Sequence, residues 1–163
     1  MLVRGWRLVT LLLVALTAGL GFAHVLERPV KLQYDGVAYT TVQKTLYTHW
    51  GWPNVGGLVE VGAIVAAVGL VFLVRKRKPA VALTLIAAIT LLLAFPVMFA
   101  LFVGPANEAF LAAAVGSTPP NWRTMRESWE LGHTIRFYLH LAALGLLTLS
   151  VVLETQEPPP ARA

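Results

Sequence analysis

The chain has no cysteine. That excludes disulfides, thiolate metal sites and cysteine nucleophiles, and it leaves the redox compartment unread. Charge is scarce too: only 13% of the 163 residues are charged, and the acids number 8. No internal repeat is visible along the sequence. What fills the chain instead is apolar, at 57% of residues with a mean hydropathy of +0.69. These residues come in long runs, not dispersed as in a soluble core, so the class is integral membrane and the length suits one domain.

Four runs stand out, at about 8–26, 57–74, 80–103 and 135–153. Each is close to the ~20 residues a spanning helix needs. Glu60 interrupts the second, and Pro96 inside the third predicts a kink. The expected fold is an all-α, four-helix membrane bundle over 1–156, followed by a disordered tail at 157–163. Arg4 and Arg7 precede the first run, and Arg75-Lys76-Arg77-Lys78 joins the second to the third. Both belong on the cytoplasmic side, and an even number of spans returns the C-terminus there. That side then holds seven bases and two acids against six and six on the outer side, so the whole net charge of +5 lies on one face. The basic pI of about 10 is therefore a topology signal, and a nucleic-acid partner is not expected. A competing pattern is a signal peptide, with Gly21-Phe22-Ala23 as its cleavage site and His24 as the new N-terminus.

Two longer connections fall in the outer half. In 27–56, Tyr39, Val42, Leu46 and Trp50 share a helical face and predict a short amphipathic helix at the interface. In 104–121, ANEAFLAAAV predicts another, and Ser117 or Thr118 is placed to cap a helix opened by Pro119 and Pro120. That last helix, run unbroken to Leu153, is roughly 50 Å long and overshoots the ~30 Å hydrocarbon.

Trp122, Arg126, Trp129, His133, Arg136 and His140 follow steps of four and three, which sets them in one line down that helix. All four histidines, Glu60, Asn107 and every tryptophan but Trp6 fall in the outer half. Glu60 and His140 sit at matching heights, each roughly 21–22 Å above the cytoplasmic ends of their helices. An unpaired carboxylate at such depth costs about 2.5–3.5 kcal/mol on insertion scales, so Arg136 or His140 is expected to pair with Glu60. The expected assembly turns the stripe inward toward Glu60 and His24, walling an outward-facing polar pocket. Arg123 with Glu127 and Arg126 with Glu130 have the spacing of surface pairs. His49 and Trp6 read as interfacial residues.

Three features resemble the anthrone-oxygenase-like family of small four-span membrane proteins, a domain-of-unknown-function family. They are Gly56-Gly57-Leu58-Val59-Glu60 opening the second run, Pro105-Ala106-Asn107 after the third, and Trp122, Trp129, His133 and Arg136 leading into the fourth. The resemblance covers nearly the whole chain and implies oxidation of an anthrone- or quinone-like aromatic molecule without a conventional cofactor. Such chemistry needs a base, a donor for an enolate oxygen and flat walls. His133 or Glu60 supplies the first, Arg136, Arg126 and Asn107 the second, and Trp50, Trp122 and Trp129 the third, with His24 and His140 as further binding residues. Two rivals stand beside this reading. Glu130-Leu131-Gly132-His133 and His24-Val25-Leu26-Glu27 have metal-ligand spacing, and His24 with His133 or His140 has the makings of a haem pair. Alternatively the polar cluster only fixes helix register in a lipid-binding or accessory subunit. A transporter would need assembly into a homo-oligomer to gain alternating access.

Overall fold

The computed structural model describes residues 1–154, and the expected tail at 157–163 lies outside the described residues. Among the described residues the chain is helical, with no strand. Helix α1 spans Leu2–Lys31, α2 Gly36–Thr45, α3 Val55–Val74, α4 Ala80–Leu92, α5 Gly104–Ala112 and α6 Trp122–Glu154. Two π-helical stretches, Leu93–Val97 and Phe99–Val103, join α4 to α5 into one rod over Ala80–Ala112. Four helices are long and apolar enough to cross a bilayer, the composition of a multi-pass membrane protein.

The third run is thus longer than expected. Pro96 sits inside the first π stretch, where the wider turn accommodates the carbonyl that its ring would crowd in a regular helix. Pro105 follows at the start of α5, where its missing N–H costs little. The segment expected as a separate short helix, ANEAFLAAAV at 106–115, is therefore, up to Ala112, the top of this rod. Its last carbonyls, from Leu111 and Ala113, accept from Lys44 of α2, a cation placed at the negative end of the helix dipole. Asp35 caps α2 by accepting from the Ala38 amide at 2.8 Å. Tyr39, Val42 and Trp50 pack inward against α5 and α6, while Leu46 is exposed. The Ser117 hydroxyl donates back to Ala114 instead of capping α6.

The long helices pack in a ring: α1 touches α3 and α6, and the α4–α5 rod touches the same two. Glycine permits two close approaches. A side chain at Gly21 would meet Phe137 at 3.1 Å, and one at Gly132 would meet Phe102 Cβ at 2.7 Å. At one end of the ring Arg7 pairs with Glu154 at 2.8 Å and Arg77 with the same carboxylate at 3.3 Å. The start of α1, the basic turn and the end of α6 therefore share a side. The Trp6 indole donates to the Ala66 carbonyl at 2.7 Å and lies against Gly69.

Candidate functional site

At the opposite end the helices enclose a cavity of about 70 Å³. Its polar lining is His24 from α1, Glu60 from α3, Asn107 from α5, and His133, Arg136 and His140 from α6. Trp129, Trp50, Tyr47, Phe95 and Phe99 supply flat walls. The 3.6-residue repeat explains the α6 contribution, since 129, 133, 136 and 140 lie on one face. The space is roughly that of two or three waters. A neighbouring cavity of about 140 Å³ shares Tyr47, Trp52, Phe99 and Asn107 with it. The turn bearing Trp50 and Trp52 sits directly on the start of α3, where a side chain at Gly57 would meet the Trp52 backbone at 2.6 Å.

Glu60 is bound to Arg136, as its depth required. The guanidinium also lies 5.5 Å from the centre of the Phe95 ring, a cation–π distance. Pairing removes the isolated charge from Glu60. His133 is half-buried and faces the cavity, whereas His24 and His140 are buried in its wall. The rings of His133, His24 and Trp129 form a triangle, His133 lying 4.1 Å from each of the others and these 5.0 Å apart. The Trp129 indole donates to Asn107 Oδ1 at 2.8 Å. That bond engages the amide oxygen, so the NH₂ of Asn107 is the group offered to a ligand.

Of the predicted site residues, eight converge here: Glu60, His133, Arg136, Asn107, Trp50, Trp129, His140 and His24. Arg126 and Trp122 do not. Arg126 donates to the carbonyls of Leu32 and Tyr34 at 3.1 and 3.2 Å, closing the end of α1. Trp122 lies over Gly36 and stacks with Arg123 and Arg126. Both sit two to three turns above His133 on α6, roughly 10 Å or more too high to reach the cavity.

Sequence reasoning missed a second polar cluster directly above. Lys31 pairs with Glu130 at 3.1 Å and with Glu27 at 3.7 Å. Tyr39 donates to Glu130 at 2.9 Å, and Tyr47 donates to Glu27. The Lys31 ammonium lies over the Trp129 ring at 4.5 Å and the Tyr47 ring at 4.9 Å. Glu130 is therefore no surface partner of Arg126. It is 1% exposed and faces α1 and α2. Burial first, then the adjoining carboxylates, pushes the Tyr39 and Tyr47 phenols above their ordinary range. The approach of α1 to α6 was expected through His24, but the pairing of Lys31 with Glu130 across it was not.

This arrangement bears on the metal and haem expectation. Glu130 and Glu27 are engaged by Lys31 and the tyrosines. The rings of His24 and His133 are in direct contact, at 4.1 Å between centroids. No group of three or more His, Asp or Glu placed to hold a metal occurs among the described residues. Set against protein-family models, curated proteins and solved structures, the chain finds no match.

Proposed function

We propose that this protein is a four-helix membrane bundle with both termini cytoplasmic, whose cavity faces the outer side and takes a flat phenolic or quinone-like aromatic molecule. In keeping with the resemblance to anthrone-oxygenase-like proteins, the reaction is oxidation of such a molecule by dioxygen without a resident cofactor. The sidedness is supported by the basic cluster around Arg7, Arg77 and Glu154, since the cavity lies at the other end.

One observation carries the chemical reading. An accessible imidazole, a guanidinium and an amide NH₂ meet in one aromatic-walled space. His133 takes the benzylic proton of an anthrone-like ketone. Arg136 and Asn107 donate to the enolate oxygen, where charge develops. Trp129 and Trp50 hold the ring plane. The electron-rich carbanion reduces dioxygen: one oxygen atom enters the ring carbon as a carbonyl and the other leaves as water. The resting cavity is smaller than the ~150 Å³ that holds one benzene ring, and the two adjoining cavities together exceed it. A three-ring molecule is larger still, so binding needs the shared wall of Tyr47, Gly51, Trp52, Phe99 and Asn107 to open.

The test is oxygen uptake by protein in lipid nanodiscs given a hydroxylated anthrone, with spontaneous oxidation subtracted. Uptake matching anthrone loss one to one, and falling about 10²–10⁴-fold in His133→Ala, is the expected result. Wild-type uptake no faster than that of heat-denatured protein would sink the reading.

A further inference from the structure

The second cavity carries a polar group that the proposed chemistry leaves unused. Gln43 of α2 lines it, with Thr48, Trp52, Phe99, Asn107 and Leu111. The residue is 4% exposed, and its Nε2 is buried with no hydrogen-bond partner. Buried amide NH₂ groups are rarely left so, because desolvation without a partner is costly. Burial raises the Tyr39 phenol one turn earlier, and Gln43 draws it down as a nearby donor. Even with one amide hydrogen turned that way, the second has no taker.

The neighbours of Gln43 narrow what it serves. The Thr48 hydroxyl hydrogen goes to the Gln43 backbone carbonyl at 3.0 Å. Asn107 lines both cavities, and its Oδ1 accepts from Trp129 at 2.8 Å, so it too offers an NH₂. Two amide donors therefore follow one another along the joined space, Asn107 at the shared wall and Gln43 beyond it. Trp52, Phe99 and Leu111 make the rest of the second lining largely apolar. Anchors on the same helix hold Gln43 in place. Tyr39 donates to Glu130 at 2.9 Å, and Lys44 donates to the Leu111 carbonyl at 3.2 Å. The donor is thus set before a ligand arrives.

We propose that the second cavity is a recognition subsite for a phenolic hydroxyl next to the ring carbonyl of the ligand, with Gln43 donating to its oxygen. The inference rests on the reading of the first cavity as the place where the ring system reacts. With the reacting carbon at His133 and the enolate oxygen at Asn107, the edge bearing that oxygen leads through the shared wall toward Gln43. A hydroxyl beside a ring carbonyl gives its own hydrogen to that carbonyl. Its oxygen then faces outward as an acceptor, the complement of an NH₂. A bare C–H edge would leave the amide unpaired, and a site built to bond a substrate oxygen discriminates strongly against the analogue that lacks it.

The test compares anthraquinone with 1-hydroxyanthraquinone, bound to protein in lipid nanodiscs and followed by quenching of tryptophan fluorescence, with partition into empty nanodiscs subtracted. Wild type should bind the hydroxylated compound about 10-fold more tightly. Gln43→Met, of similar length without the NH₂, should erase that preference and leave affinity for anthraquinone within about 2-fold. Should Gln43→Met fail to fold, Gln43→Asn, which draws the amide back by one methylene, carries the same comparison. The proposal is overturned by a wild type that binds neither compound or shows no preference. It is equally overturned by a variant that keeps the preference or loses both compounds alike. Oxygen uptake by a wild type whose preference survives in Gln43→Met removes the subsite and spares the oxidation. A preference that Gln43→Met abolishes, in a protein that consumes no oxygen, keeps the subsite and removes the oxidation.

Discussion

The two ends of the helical ring are held together by different forces. Toward the basic turn, Ala63, Ala67, Ala87, Ala88 and Ala143 interleave with Val14, Leu70, Leu91 and Leu147. Small side chains let the helix backbones approach, and packing does most of the work, as in membrane interiors generally. Toward the cavity, the same helices meet through Trp129, Tyr39, Tyr47 and Phe110, and through ion pairs that cross between α1 and α6 and between α3 and α6. The first region keeps its ion pairs, Arg7 and Arg77 with Glu154, at its outermost end, whereas the second carries charge in its interior. The contrast is one of means: apolar packing carries one half of the bundle, and aromatic contacts with buried ion pairs carry the other.

The largest effect is expected from Arg136→Ala. It strands the Glu60 carboxylate in a space where both groups are nearly buried, and should cost about 3–5 kcal/mol. A Glu60→Gln, Arg136→Gln pair should recover much of that loss. Reversible unfolding in mixed detergent measures both, and additive single losses would show that the pair is not coupled. Tyr39→Phe comes next. Losing a buried hydrogen bond to the Glu130 carboxylate should cost about 1.5–3 kcal/mol. It also probes pH. Raised phenol values in the folded state mean that this stability is fully present below the unfolded value of about 10. It is lost as pH rises from there toward the higher folded value. Unfolding followed from pH 8 to 11 should show a decline confined to the alkaline end, shallower in Tyr39→Phe. Ala67→Leu, at a fully buried position in the apolar half, should cost about 1–3 kcal/mol through overpacking while leaving ligand affinity at the cavity within about 2-fold. A large affinity change there would break the separation of the two halves.

The spans were legible because runs of apolar residues near bilayer length have few other uses. Their ends were not. Helix α1 reaches Leu2–Lys31, well past 8–26, because Arg7 and Lys31 find carboxylates on α6. A charge reads as a helix boundary until its partner is known. The inward rotation of α6 was legible from the repeat of 129, 133, 136 and 140. The stripe could not show its own depth limit, which is why Trp122 and Arg126 were grouped with residues a turn or more below them. The cluster of Lys31, Glu130 and the tyrosines depends on contacts between residues 91 and 99 positions apart, and local spacing carries no trace of those. Glu130 looked like one half of a surface pair for that reason.

Gly21 and Gly132 let neighbours wedge α6 from two flanks. A helix gripped in that way has little freedom to swivel, so the row of side chains it carries behaves as a fixed rack. On the proposed reading, adjustment to a guest falls to the short corner around Trp50 and Trp52, and admission is decided there.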